Sequence, residues 1–126
     1  MLAEHAAGDR VLELEPVAGV GEVLAAQAAA ARVHASEPLR RYVVAVLDAT
    51  RADPRIELGA SPRAGLLLLR AAKARALLRG RDHALPDDVQ ALAEVVLAHR
   101  IVLAPEAVDV TGERIVADAL AATPAL

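Results

Sequence analysis

The stretch SPRAGLLLLRAAKARALLRG, residues 61–80, decides the fold that the sequence predicts. Ser61 can accept a hydrogen bond from a free N–H group at the start of a helix, and Pro62 loses no intrahelical bond in the first turn. Gly80 suits the left-handed residue that often ends a helix. Between them, apolar residues lie on two sides of one helix: Ala64, Leu67, Leu68, Ala71 and Leu78 on the first, and Leu66, Leu69 and Leu77 on the second. The stretch therefore predicts a central helix with packing neighbours on both flanks.

Similar patterns predict helices on either side of this stretch. A first helix covers residues 22–34, with an apolar stripe of Leu24, Ala28, Ala31 and Ala35. A second starts at the cap Ser36 and runs to about Arg51, with Leu39, Val43, Val46, Leu47 and Thr50 on one face. A fourth spans about 86–99, with Val89, Leu92, Ala93, Val96 and Leu97 inward, and a fifth runs from the cap Thr111 through Ala122, with Ile115, Val116, Ala119 and Leu120 inward. Residues 54–59 read as a connecting loop, and residues 101–103 as a short extended segment.

Composition agrees with a helical core. The chain has 126 residues, of which 56% are hydrophobic, 25% charged and 1% aromatic, with no cysteine. Because Ala and Leu dominate, helices are favoured over sheet. The prediction is an all-α fold, a compact four- to five-helix bundle, with residues 1–18 as an incoming strap and residues 19–126 as the helical domain.

Several classes of protein are disfavoured by the same sequence. The longest uncharged stretch has nine residues, Val23–Ala31, which is short of the roughly 18 to 20 that span a bilayer. Disulfides are excluded, and no secretory signal pattern opens the chain. We therefore expect a cytoplasmic protein. The net charge of -3 also argues against a grip on nucleic acid by the whole surface.

Positive charge is concentrated in one part of the chain, which we call the basic strip. It contains six of the 14 basic residues and no acidic one: Arg63, Arg70, Lys73, Arg75, Arg79 and Arg81. Near the end of a helix, Arg79 and Arg81 suit the negative end of the dipole. Arg70, Lys73 and Arg75 could pair with acidic residues on neighbouring helices.

Arg63 is different because it lies in the first turn of its helix. A cation there faces the positive end of the dipole, which costs roughly a few tenths of a kcal/mol unless an anion compensates. Free backbone N–H groups in the same turn also attract anions. The residues alone therefore single out Arg63 as a candidate anion contact.

A family resemblance gives this candidate a role. GASPRA at 59–64, followed by Leu68, AAKA at 71–74, GR at 80–81, PDDV at 86–89 and LAHRI at 97–101, resembles the lid subdomain of the MoxR family of AAA+ ATPases. HAAGD at 5–9 resembles the end of that family's α/β subdomain, and Tyr42 with Thr50 and Arg51 resembles the second helix of its lid. Where the family more often has a capping hydroxyl, this chain has Leu85, so Asp88 is expected to serve the fourth helix.

The resemblance implies that Arg63 is the sensor 2 residue, which contacts the γ-phosphate of ATP from the lid, with Ser61 and Pro62 beside it. It implies ATP and Mg²⁺ as ligands of the full-length protein, lid movement coupled to hydrolysis, and chaperone-like remodelling or assembly of a protein partner. It also implies that the lid works with the α/β subdomain of the same polypeptide in a ring oligomer. The 126 residues contain no G-x-x-x-x-G-K-[ST] motif, so we do not expect this chain alone to be an ATPase or to bind nucleotide tightly.

An alternative is a helical protein-interaction domain that docks an acidic partner on the basic strip without nucleotide. The remaining candidates have simpler structural explanations. His5, His34, His83 and His99 show no metal-ligand spacing. Ser36 and Ser61 act as caps, Asp87 and Asp88 suit a helix start, and Tyr42 is more readily a half-buried side chain than an adenine contact.

Overall fold

Within residues 14–125, which the computed structural model describes, there are five α-helices and one two-stranded antiparallel sheet. In chain order these elements are α1 (Val20–Arg32), α2 (Glu37–Ala52), β1 (Ile56–Leu58), α3 (Pro62–Leu78), α4 (Pro86–Leu97), β2 (Val102–Leu103) and α5 (Gly112–Ala122). A single 3₁₀ turn, Ala98–Arg100, continues α4. The all-α fold class and the helical bundle are confirmed, and the small sheet is an addition to them.

The predicted boundary residues act as expected. The side-chain oxygens of Ser36, Ser61 and Thr111 each accept a hydrogen bond at 3.3 Å from the backbone N–H three residues later. Gly80 has a φ of 71°, in the left-handed region that glycine adopts without strain. These contacts fix where α2, α3 and α5 begin and where α3 ends.

The core lies between α2, α3, α4 and α5, and it is aliphatic. Its least exposed members include Val46, Leu68, Val89, Leu97, Ile115 and Val116, which are all inaccessible to solvent. All five residues predicted to face inward on α2 are buried, and on α4 and α5 the predicted residues are buried or half-buried. The helical periodicity therefore identified this core correctly.

Helix α1 departs from its prediction. It begins at Val20 rather than residue 22, and none of its residues is buried. Leu24 is 59% exposed, and Ala28 and Ala31 are also exposed, so no element within residues 14–125 buries these three members of the predicted stripe. Ala35, its last member, is buried but lies beyond the helix. Apolar periodicity predicted the helix but could not say what its apolar side faces.

The predicted loop at residues 54–59 contains a strand. β1 pairs antiparallel with β2, with Ile56 opposite Leu103 and Leu58 opposite Val102. The extended segment predicted at residues 101–103 is thus one half of this sheet. Local sequence does not predict this strand, because its partner lies far along the chain.

On α3, the buried side follows steps of four residues, through Ala64, Leu68, Ala72 and Ala76. Leu78, predicted on the main stripe, is 87% exposed. Leu66, on the second stripe, is 60% exposed. The neighbouring helices therefore cover a narrower face of α3 than its Leu-rich sequence predicts.

Residues 14–18 of the predicted strap form no helix or strand, and residues 1–13 lie outside the described part of the chain. The assignment of this strap to a preceding subdomain stays a prediction, as does the HAAGD part of the resemblance. Among the described helices, none is both long and apolar enough to cross a membrane.

Candidate functional site

The first turn of α3 is built by its cap and by the absence of acidic residues. Ser61 Oγ accepts from the N–H of Ala64 at 3.3 Å, and Pro62 follows as the first helical residue. Arg63 is therefore the second residue of the helix, and the first turn has no Asp or Glu. The positive end of the helix dipole and a guanidinium thus lie in the same turn, which favours an external anion.

The end of α2 holds this turn in place. Thr50 Oγ1 donates to the carbonyl of Leu47 at 2.7 Å and accepts from the N–H of Ala60 at 3.1 Å. Arg51 Nε donates to the carbonyl of Ala60 at 3.0 Å. Both backbone groups of Ala60 are therefore bonded to adjacent side chains of α2, one residue before the cap Ser61.

Gly59 makes this attachment possible. A Cβ added there would lie 2.6 Å from Arg51 Cγ and 2.8 Å from Arg51 Cα. The loop therefore packs directly on the backbone of α2, at a distance that only glycine allows. Thr50, Arg51 and Gly59 are part of the family resemblance, but the sequence does not predict these contacts, because they depend on tertiary packing.

Arg63 itself is exposed, as are Ser61 and Pro62. Among the ion pairs formed within residues 14–125, none includes Arg63. Its guanidinium is therefore accessible to a ligand from outside this chain.

The rest of the basic strip is largely engaged in internal contacts. Arg75 and Arg81 both bind the carboxylate of Asp88, Arg81 through two bonds of 2.7 and 2.8 Å. Lys73 Nζ donates to the carbonyl of Ala31 at 2.6 Å. The expected pairing of Arg75 with a neighbouring helix is confirmed. Arg81 lies just after the end of α3, as predicted, and it also forms an ion pair with the buried carboxylate of Asp88.

Asp88 has a structural role at the start of α4. Its side chain is inaccessible to solvent, and Asp88 Oδ2 also accepts from the N–H of Leu85 at 2.9 Å. The Arg81 guanidinium above all, with the Leu85 N–H and Arg75, holds the pKa of Asp88 well below its usual range against the opposing effect of burial. The expectation that Asp88 would serve this helix in place of a capping hydroxyl at position 85 is confirmed.

Tyr42 is more deeply buried than predicted, with 3% of its surface exposed. Its hydroxyl accepts a hydrogen bond from Gln90 Nε2 at 3.1 Å, which ties α2 to α4. This contact gives Tyr42 a packing role.

The described histidines are exposed, and His5 lies outside the described residues. His34 and His83 are brought together by an isolated backbone bridge that the sequence did not predict. Within residues 14–125, no three His, Asp or Glu side chains are grouped to hold a metal ion.

Comparison with known proteins identifies the family. The AAA lid domain family matches residues 48–119 of this chain. The chain belongs to this family. The match contains the end of α2, the Gly59–Ser61 loop, α3 and α4, which are the elements that build the site.

Relatives and a solved structure agree with this assignment. The chain is 42% identical over 94 residues to YeaC of Bacillus subtilis, and 36% identical over 104 residues to the chaperone MoxR1 of Mycobacterium tuberculosis. Each match covers 75% of this chain, but 29% and 28% of those proteins. The crystal structure of an inferred ATPase of Cytophaga hutchinsonii superimposes with a TM-score of 0.78 at 32% identity, covering 84% of this chain and 36% of that protein. The predicted identity as a lid of the MoxR type is confirmed, and the chain spans less than a third of the curated relatives' length.

Proposed function

We propose that this lid contributes Arg63 as the sensor 2 residue of a full-length MoxR-type ATPase. In this role the guanidinium contacts the γ-phosphate of ATP bound, with Mg²⁺, to the α/β subdomain of the same polypeptide. The observation that supports it is an exposed arginine in a capped helix turn without acidic residues, unpaired within residues 14–125. A planar guanidinium offers parallel N–H donors to phosphate oxygens, which suits this ligand.

Ser61 and Pro62 have a positioning role in this proposal. Ser61 starts the helix and Pro62 fixes its first backbone angle, so the two residues set the direction in which Arg63 leaves α3. The hydrogen bonds from Thr50 and Arg51 to Ala60 attach this turn to α2. Gain or loss of the contact at Arg63 would therefore move the whole lid, not only a loosely attached loop.

Coupling to protein remodelling follows from that attachment. A contact from the lid to the γ-phosphate exists with ATP and is lost with ADP, so hydrolysis changes the relative stability of two lid positions. We infer that the full-length protein uses this movement, in a cytoplasmic ring oligomer, for chaperone-like remodelling or assembly of a protein partner.

The alternative of an acidic partner docked on the basic strip without nucleotide has less support. Arg75 and Arg81 share Asp88, and Lys73 is bonded to the backbone of α1. The strip therefore offers fewer available cations than its sequence suggests.

The test is ATP turnover by the full-length protein with Arg63→Ala. Loss of one preorganised donor to the transferred phosphoryl group should lower turnover by a factor on the order of 10². Arg79→Ala is the matched control, because Arg79 is also exposed and belongs to the strip, but lies at the opposite end of α3. Unchanged turnover in the Arg63 variant, or equal losses in both, would reject the proposal.

A further inference from the structure

A depression of about 670 Å³ opens beside the first turn of α3. Arg51, His99 and Arg100 line it together with Ser61 and Pro62. These residues come from three separate parts of the chain, so the sequence does not predict that they lie together.

Arg51, near the end of α2, is held by hydrogen bonds from its guanidinium. Arg51 Nε is bonded to the carbonyl of Ala60 at 3.0 Å, and Arg51 Nη1 to Asp48 Oδ1 at 2.8 Å. Gly59 packs against the backbone of Arg51, as described above. These two contacts orient the guanidinium of Arg51.

The turn that carries His99 and Arg100 is also held in a fixed position. Arg100 Nε donates to the carbonyl of Val96 at 3.0 Å, which leaves its two terminal nitrogens for other partners. The 3₁₀ turn that carries His99 and Arg100 packs against the start of α5, where a Cβ on Gly112 would lie 2.6 Å from the carbonyl oxygen of Ala98. Only glycine allows this approach, so close packing with α5 sets the position of the turn.

The ionisable side chains that line the depression are all basic. Among the residues of 14–125 that line it are two arginines and one histidine, and no Asp or Glu. Asp48 offsets part of this positive charge, because its carboxylate accepts a hydrogen bond from Arg51 Nη1. Guanidinium groups that line a common depression suit an oxyanion with several oxygens, and phosphate is an anion of this kind.

We propose that this depression is a phosphoanion subsite, separate from the contact made by Arg63. The inference rests on the proposed function in one respect, since that function turns this end of α3 towards a nucleotide. The phosphoanion has two possible sources, the polyphosphate of a nucleotide and free inorganic phosphate. Arg100 provides the main contact, and Arg51 and His99 are further donors to the ligand.

The test uses the ¹⁵N-labelled 126-residue chain, titrated separately with tripolyphosphate and with inorganic phosphate at fixed ionic strength. Saturable amide shifts at Gly59, Ser61, His99 and Arg100 are expected. Arg100→Gln should weaken binding roughly fivefold, the effect of one exposed charge-assisted contact. Arg79→Gln is the control, at the far end of α3 about 25 Å along the helix axis. Preference for tripolyphosphate identifies the nucleotide as the source, and equal affinity identifies free phosphate.

Two results would overturn the subsite: no saturable shifts at these residues, or equal weakening by Arg79→Gln, which would indicate general attraction to positive charge. Its failure is distinguishable from failure of the proposed function. If tripolyphosphate binds here but Arg63→Ala leaves ATP turnover of the full-length protein unchanged, the subsite stands and the sensor 2 role is rejected. If turnover depends on Arg63 but the chain shows no binding at Arg100, the reverse holds.

Discussion

The hydroxyl of Thr50 accepts a hydrogen bond from the backbone N–H of Ala60 at 3.1 Å, although the two residues lie on different elements. Thr50 is fully buried on α2, and Ala60 precedes the cap of α3. This bond fixes the position of the turn that carries Arg63 relative to α2.

Replacing Thr50 by Val keeps the shape of the side chain and removes the acceptor. The buried N–H of Ala60 is then left without a partner, so the free energy of unfolding should fall by about 1–3 kcal/mol. Urea denaturation followed by circular dichroism measures this loss. Thr123→Val is the control, because the Thr123 hydroxyl only donates to Ala119 at the end of α5. A Thr50 variant as stable as the Thr123 variant would show that the bond to Ala60 contributes nothing.

Gly59→Ala tests the close packing of the loop on α2. The added Cβ would lie 2.8 Å from the backbone of Arg51, so either the loop or α2 must move, and the protein should lose about 1–3 kcal/mol of stability. Gly21→Ala is the opposite case, since Gly21 lies in α1 with open space around the added Cβ. That variant should be up to about 1 kcal/mol more stable. Thermal melts of both variants check the pair, and a Gly59 variant at least as stable as the Gly21 variant contradicts the geometry.

The lowered pKa of Asp88 predicts how the free energy of unfolding depends on pH. Because its pKa is lowered in the folded protein, its contribution is fully present above the unfolded pKa of about 4 and is lost as pH falls through the folded value. Stability should therefore decrease with acidification below about pH 4. In Asp88→Asn this decrease should be shallower but not absent, since the pKa values of Asp53 and Asp118 are also lowered by arginine partners.

At neutral pH, Asp88→Asn should itself cost about 1–3 kcal/mol, because Arg75 and Arg81 lose their shared charge partner. Both arginines keep about a quarter of their side chain in solvent, which holds the loss below that of fully buried pairs. Denaturation at pH 3 and pH 7 gives both quantities. Asp87→Asn is the matched control on the adjacent exposed carboxylate. Parallel pH profiles for the wild type and Asp88→Asn would exclude the proposed role of this pair.

Local signals predicted most of the fold. Ser36, Ser61 and Thr111 were identified as caps from residue type and position, and Gly80 as a helix end, because capping depends on neighbours within a few residues. The burial of α2, α4 and α5 followed from periodicity. These features need no knowledge of tertiary contacts.

The features that sequence did not predict are those that depend on distant partners. The β1–β2 pair joins segments more than 40 residues apart. Whether the apolar side of α1 is buried depends on which other elements pack against it, and none of its residues is buried. At the site, Arg63 was singled out by its position in a helix turn, whereas Arg51 and Arg100 enter the same depression only through packing. The sequence predicts Asp88 at the start of α4 and a pair between Arg75 and an acidic residue of a neighbouring helix, but only the structure shows that Arg75 and Arg81 share Asp88.

Nucleotide affinity tests most directly the proposed recognition of the γ-phosphate by Arg63. In the full-length protein, Arg63→Ala should weaken binding of a non-hydrolysable ATP analogue roughly tenfold, the effect of one charge-assisted contact. Binding of ADP, which has no γ-phosphate, should be unchanged, and Arg79→Ala should affect neither ligand. If Arg63→Ala weakens the binding of both nucleotides equally, or does not weaken the binding of the ATP analogue, recognition of the γ-phosphate by Arg63 is contradicted.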